Sequence, residues 1–204
     1  VGNAAFYLCV NLQNIEFGKQ VITIGEDAFY NCKKLESLTV PESVEKIGNG
    51  AFYQCESLQN VVLPNKIPKI EANMFFGCSA LVNIKIPNGV TELGSYAFGS
   101  CTKLEEIDLP NSLTFIGDKV FSCTWELKEI TIPKSVISLG QEVFKYHTSD
   151  FLIKGFKNSV AYYYALGNDY RFESLGELDS DSIKNGECGQ NIEYTLDLNS
   201  GLLN

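Results

Sequence analysis

Apolar and polar side chains alternate over short stretches of this chain, and the stretches return every 23 residues. In the unit formed by residues 35–57, Leu38 and Val40 are apolar, whereas Ser37 and Thr39 are polar. This alternation predicts a short strand with one buried face. A proline, which has no N–H to give to a strand ladder, ends the strand in five successive units: Pro41, Pro64, Pro87, Pro110 and Pro133.

The rest of the unit predicts a return path with a turn and a bulky core position. Val44 and Ile47 have the spacing of core contacts, and Gly48 permits a backbone turn that a side chain would hinder. Apolar residues three to four apart between residues 51 and 58 predict one turn of α- or 3₁₀-helix. Two columns are very regular, one of phenylalanine (Phe6, Phe29, Phe52, Phe75, Phe98, Phe121 and Phe144) and one of cysteine (Cys9, Cys32, Cys55, Cys78 and Cys101).

A fixed period of this length indicates units that stack, because no single unit can bury its own apolar face. We therefore predict a solenoid of the α/β class, rich in β-structure. Its strands form a parallel concave sheet, and short α-helical or 3₁₀ turns carry the phenylalanine spine on the convex side. Solenoids present extended surfaces for binding.

The regularity of the pattern divides the chain into three regions. Residues 1–150 form an array of about six and a half units. Residues 151–176 predict a cap of strand, short helix and strand, with Ser159 as the helix N-cap and the helix ending near Gly167. Residues 177–204 predict a linker and a truncated β-hairpin. Because Val1 falls inside a unit, we expect a piece of a longer protein that continues past Asn204.

The unit at residues 35–57 reads Leu-Glu-Ser-Leu-Thr-Val-Pro-Glu-Ser-Val-Glu-Lys-Ile-Gly-Asn-Gly-Ala-Phe-Tyr-Gln-Cys-Glu-Ser. It resembles the repeat of BspA-type bacterial surface proteins, Leu-x-x-Ile-x-Ile-Pro-x-x-Val-x-x-Ile-Gly-x-x-Ala-Phe-x-x-Cys-x-x, over roughly residues 1–150. The resemblance implies a leucine-rich-repeat solenoid that follows a right-handed superhelix. It also implies an extracellular or cell-surface bacterial protein that adheres to host matrix or to other cells.

Charge and cysteine usage exclude several classes of function. The net charge is −9, and residues 172–204 hold seven acidic side chains and one lysine, so the repeats are nearly neutral. No basic stripe for nucleic acid or an anionic membrane is present, and no apolar run is long enough to insert into a bilayer. Five of the seven cysteines share one repeat position and no CxxC pair exists, so we expect packed thiols rather than a zinc site. We expect no metal and no cofactor.

The sequence predicts a non-enzymatic, monomeric adhesin that binds a host matrix or cell-surface protein through its concave face. The alternative is a spacer that projects another domain, and a glycan-binding module or a hydrolase is a further one. His147 is the only histidine and stands at a cysteine position, which favours a structural role. Trp125, the only tryptophan, is either a bulge in its turn or a surface anchor. The candidate binding residues are the outward strand positions Asn14, Glu16, Ser37, Thr39, Asn60, Val62, Asn83, Lys85, Glu106, Asp108, Glu129 and Thr131.

Overall fold

The structure is a computed structural model that describes residues 1–178, 186–188 and 193–194. Each complete coil contributes a three-residue strand and a two-residue strand. The three-residue strands are β2 (Ser37–Thr39), β4 (Asn60–Val62), β6 (Asn83–Lys85), β8 (Glu106–Asp108) and β10 (Glu129–Thr131). The two-residue strands are β1 (Thr23–Ile24), β3 (Lys46–Ile47), β5 (Lys69–Ile70), β7 (Glu92–Leu93), β9 (Phe115–Ile116) and β11 (Ser138–Leu139).

Successive coils are in register, one repeat apart. Ser37 of β2 lies opposite Asn60 of β4, and the two strands run parallel. The pair β6–β8 has the same offset of one repeat, β4 lies beside β6, and β8 lies beside β10. The two-residue strands pair in parallel in the same way. The predicted parallel-strand solenoid is therefore confirmed. Its right-handed superhelix and the concavity of its sheet stay predictions.

The phenylalanine column forms the centre of the core. Phe29, Phe52, Phe75, Phe98, Phe121 and Phe144 are fully buried. Their rings stack with nearly parallel planes, and the centroids of neighbouring rings are 5.5–5.9 Å apart. Stacked aromatic rings at this separation attract one another in addition to the area that they bury. The predicted aromatic spine is present, and each ring contacts the coil before and the coil after it.

The predicted turn of helix in the phenylalanine segment is wrong. In its place, each coil has a series of β-turns, such as the one closed by the bond from Cys32 N–H to Phe29 O. Alternate N–H groups bond instead to the next coil, as Phe29 N–H does to Ala51 O at 2.8 Å. Two positions per coil have positive φ, for example Asp27 (52°) and Asn31 (60°). A right-handed helix cannot include such residues. The spacing of the buried side chains is nevertheless the same in a helical turn and in this series of β-turns.

The glycine column marks a close approach between coils. A Cβ built on Gly48 would lie 2.5 Å from the backbone nitrogen of Glu26 in the preceding coil. A Cβ built on Gly94 would lie 2.4 Å from the backbone nitrogen of Ala72. Gly2, at the same position in the first coil, has nothing within 4 Å. Glycine at Gly48 and Gly94 therefore allows a close approach of the previous coil, which is a matter of packing rather than the turn geometry that the sequence predicted, and Glu71 is the exception in this column.

The stack continues into residues 152–177 without a break in the sheet. Strand β12 (Leu152–Lys157) pairs in parallel with β10, and β13 (Arg171–Glu177) pairs with β12. Helix α1 (Val160–Gly167) lies between them, and the Ser159 hydroxyl accepts a hydrogen bond from Tyr162 N–H, which confirms the predicted N-cap. The Tyr170 hydroxyl donates to Phe144 O at 2.8 Å, so the cap is bonded to the last phenylalanine coil.

The two ends of the chain depart from the regular coil. Residues 12–18 of the first coil form no strand, although Glu36 N–H still bonds to Gln13 O at 3.2 Å. Strands β14 (Gly186–Cys188) and β15 (Glu193–Tyr194) form an antiparallel pair, and β14 pairs in parallel with β11. Much of the predicted linker and hairpin lies outside the described residues. The proposed boundaries near residues 150 and 176 stay predictions.

Candidate functional site

The three-residue strands position the candidate binding residues through their alternation. In β6, Ile84 is buried, whereas Asn83 and Lys85 on either side of it are exposed. The same alternation holds in β2, β8 and β10. We call the outward residues the long-strand face: Asn14, Glu16, Ser37, Thr39, Asn60, Val62, Asn83, Lys85, Glu106, Asp108, Glu129 and Thr131. All twelve are exposed, but Asn14 and Glu16 lie in the strandless first coil.

Charged side chains on this face are available to a partner. Among the residues that the structure describes, no hydrogen bond or ion pair engages the side chains of Lys85, Glu106 or Asp108. Glu129 differs, because the Lys154 ammonium of β12 lies 2.7 Å from its carboxylate. Val62 is 56% exposed and is the one large apolar side chain on the face. The face is thus a polar ladder with unpaired charges at its centre.

A cleft of about 720 Å³ opens at the C-terminal end of this face. Its floor includes Asp108 and Glu129, and Glu105 and Glu106 add two more carboxylates. Apart from these carboxylates, its lining includes Lys134 and the apolar side chains of Phe156 and Leu175, which the longer strands β12 and β13 carry past the end of β10. Carboxylates beside apolar side chains suit a partner that presents cationic and apolar groups together.

The sequence analysis missed an aromatic ladder on the turn side of the solenoid. Tyr7, Tyr30, Tyr53 and Phe76 stack with ring centroids 4.7–4.9 Å apart. Their spacing of 23 residues is visible in the sequence, directly after each spine phenylalanine. The ladder ends at Gly99, where a Cβ would lie 2.9 Å from the Phe76 ring. These rings stabilise the contacts between coils and leave mainly their edges for a partner.

From Cys32 to Cys101 the cysteine column is a ladder of buried thiols, whereas Cys9 in the first coil is exposed, contrary to the expectation for that position. The Cys78 Sγ lies 3.2 Å from the backbone oxygen of Phe52 in the preceding coil, and the Cys101 thiol bonds to Phe75 O in the same way. Burial raises the pKa of the Cys32 thiol to about 11 and raises that of Cys78 well above its usual range. Both are free cysteines. Thiols in this state are poor nucleophiles, so the column serves packing, as predicted.

His147 takes over the thiol's hydrogen bond in the last repeat. Its Nε2 lies 3.1 Å from Phe121 O and 2.9 Å from Thr124 Oγ1. Burial lowers the pKa of His147 below its ordinary value, so the ring is neutral at pH 7. The hydrogen bonds match the predicted structural role. In residues 1–178, no group of three or more His, Cys, Asp or Glu side chains is placed to hold a metal ion.

The repeat motif and the coil stack together correspond to a known family. The model for the BspA-type leucine rich repeat region matches the chain in six copies, over residues 1–91 and 23–150. The chain belongs to the BspA-type leucine-rich repeat family. Among curated protein sequences, none matches it significantly. Leucine-rich repeat solenoids are in general non-enzymatic scaffolds for protein interaction, and nothing in the described residues points to catalysis.

Solved structures of bacterial leucine-rich repeat proteins have the same fold. A leucine-rich repeat protein from Bacteroides ovatus is 33% identical, with a TM-score of 0.72 over 86% of this chain and 42% of its own. A leucine rich cell surface protein from Faecalibacterium prausnitzii is 27% identical, with a TM-score of 0.69 over 98% of this chain and 47% of its own. The T. pallidum leucine-rich repeat protein is 27% identical, with a TM-score of 0.62 over 78% of this chain and 81% of its own.

The chain spans less than half the length of the Bacteroides and Faecalibacterium proteins. The family and the description of the second protein suggest a location at the cell surface. Within the described part of this leucine-rich repeat chain, no helix has the length and apolar character needed to cross a membrane.

Proposed function

We propose that this leucine-rich repeat chain is part of a bacterial cell-surface adhesin, and that the long-strand face binds a host matrix or cell-surface protein. The observation that carries the proposal is the ladder of exposed polar side chains in which Lys85, Glu106 and Asp108 have no partner within the described residues. Side chains held on strands about 4.8 Å apart are arranged in advance for binding, so a partner loses less ordering entropy on association.

The partner's chemistry follows from the charge at the C-terminal cleft. Four carboxylates and one lysine line it, beside Phe156 and Leu175. We therefore infer that the partner presents lysine or arginine next to an apolar side chain. Attraction between such groups is long-range and screened by salt. Binding should accordingly weaken between low and physiological ionic strength. A single chain with no aromatic anchor on this face binds weakly, and many copies on one cell compensate by avidity.

A charge-swap experiment tests the proposal. The chain is titrated against a panel of purified extracellular-matrix proteins, alongside the double variant Lys85→Glu/Asp108→Lys. The matched control is Lys69→Glu/Glu92→Lys, which exchanges the same kinds of charge between paired strands of the other sheet and preserves the net charge. We expect saturable binding that the first variant loses and the control retains. Binding that both variants retain would contradict the role of the long-strand face.

The second candidate is a spacer that projects another domain from the cell surface. Its support is the continuous stack, in which every coil of 23 residues bonds to its neighbours and extends the array by one strand spacing. In the same titration, a spacer shows no saturable binding to any member of the panel. No observation on the long-strand face favours a glycan-binding module or a hydrolase over a protein partner.

A further inference from the structure

Polar side chains replace members of the buried columns at the edge where the sixth coil meets the seventh. The cysteine column passes from Cys101 to Thr124 and His147, one repeat apart. The leucine column, which runs unbroken through Leu127, has Asp150 as its next member. Three polar side chains thus stand where the regular coil would place apolar ones. A coil without these two columns cannot fill the same volume with apolar atoms.

A pocket of about 300 Å³ opens at this edge. Trp125 and Tyr146 line it and are 56% and 66% exposed, which makes them the two most exposed large aromatic side chains in the part of the chain that the structure describes. The inner wall is Phe151, whose ring centroid lies 4.3 Å from that of His147. Exposed indole and phenol rings offer apolar faces together with polar edges. The volume lies at the lower end for small-ligand sites and suits a single six-membered ring.

The polar lining of the pocket offers both acceptors and donors. His147 Nε2 lies 3.1 Å from a backbone carbonyl, which can only accept, so the neutral ring carries its proton there. His147 Nδ1 is then an acceptor. Asp150 adds a carboxylate, Thr148 a hydroxyl and Lys128 an ammonium. The Lys128 ammonium already donates to Trp125 O at 2.6 Å and lies 3.6 Å from the Glu126 carboxylate, which leaves one of its three protons for a ligand.

We propose that this pocket binds one pyranose ring of a neutral saccharide. A sugar has apolar C–H faces that pack against Trp125 and Tyr146, and each of its hydroxyls both donates and accepts a hydrogen bond, as the lining requires. A quaternary ammonium ligand also favours aromatic rings. However, the Lys145 ammonium already lies 5.3 Å from the Tyr146 ring centroid, so the cation–π position on that ring is taken. The site is separate from the long-strand face and does not depend on its function.

The single tryptophan makes the pocket its own reporter, because all indole emission comes from Trp125. The chain is titrated with the methyl pyranosides of glucose, galactose, mannose and N-acetylglucosamine, and with tetramethylammonium. The test variants are Asp150→Asn and Tyr146→Ala, both at exposed positions. The matched control is Tyr7→Ala, an exposed tyrosine in the first coil. The thermal midpoint of each variant verifies that it is folded. If Tyr146→Ala does not fold, Asp150→Asn alone decides the outcome.

We expect a saturable change of Trp125 emission with at least one pyranoside. Asp150→Asn should weaken that binding about tenfold, as the loss of one hydrogen bond to a charged group does, and Tyr7→Ala should bind as the parent does. The charge-swap variant of the long-strand face should also bind as the parent does, so this test and that of the proposed function can fail separately. The proposal is overturned by no saturable response to any pyranoside, by equal affinity in Asp150→Asn, or by saturation with tetramethylammonium alone.

Discussion

Truncation of a central phenylalanine tests the stacked core most sharply. Phe52 is fully buried, and its ring stacks on Phe29 and Phe75 at centroid distances of 5.5 and 5.6 Å. Phe→Ala in a core costs about 3–5 kcal/mol, through lost transfer free energy and the cavity that remains. Each stacked pair adds about 0.5–1.5 kcal/mol beyond its buried area. We therefore expect Phe52→Ala to lower the free energy of unfolding by an amount in the upper part of the range of about 3–5 kcal/mol.

The same substitution in the first coil is the matched control. Phe6 is only partly buried and stacks on one spine phenylalanine, Phe29, at 5.0 Å. A loss of 1 kcal/mol lowers Tm by about 2–4 °C in a chain of this size. Phe52→Ala should accordingly lower Tm by roughly 10 °C, and Phe6→Ala by much less. Differential scanning calorimetry measures both. A Phe52→Ala midpoint equal to the parent's, or equal shifts for the two variants, would refute the stacked-core reasoning.

Three further predictions concern the glycine column, the thiols and the histidine. Gly48→Ala should lower the free energy of unfolding in urea by about 1–3 kcal/mol through overpacking against the previous coil, whereas Gly2→Ala at the open position should be neutral; equal effects would contradict the close approach. Cys78 should resist a thiol reagent until the chain unfolds, because burial raises its pKa, and exposed Cys9 should react in the folded chain; mass spectrometry of labelled peptides would expose the reverse order. Burial lowers the pKa of folded His147 below 6.5, so the unfolded chain binds its proton more readily. Stability from this group is therefore present above pH 6.5 and is lost as the pH falls through the folded pKa. Tm measured from pH 7.5 to 5 should fall less in His147→Gln than in the parent, and parallel curves would count against the buried neutral ring.

Part of the fold could be predicted because the repeat is long, regular and rich in large apolar residues. The columns of Phe52, Cys55 and Leu58 recur at one spacing, and only a stack of coils brings identical positions into contact. The helical turn was predicted wrongly, because β-turns in series bury the same positions as one turn of helix. Asn31 and Gly50 hint at the positive φ of these positions, but Ala4, Gln54 and Lys119 have the same conformation, so residue type alone does not separate the two structures.

The candidate sites differ in how far the sequence could define them. Exposure of the long-strand face follows from simple alternation, so Lys85 and Asp108 could be placed from the sequence alone. The pocket between the sixth and seventh coils could not, because it arises where Trp125, Tyr146 and Asp150 meet across two coils whose residue types depart from the repeat. Only the three-dimensional path of the chain brings those departures to one edge. The aromatic ladder that begins at Tyr7 has the 23-residue period and could have been recognised.

Hydrogen exchange tests most directly whether the long-strand face is the binding surface. Backbone exchange of the chain is followed by mass spectrometry, with and without a matrix protein that gives saturable binding. We predict slower exchange in peptides that contain residues 60–62, 83–85 and 106–108, where the strands carry the exposed ladder. Slower exchange confined to the turn side, in peptides that contain residues 50–55 and 73–78, would contradict the proposal.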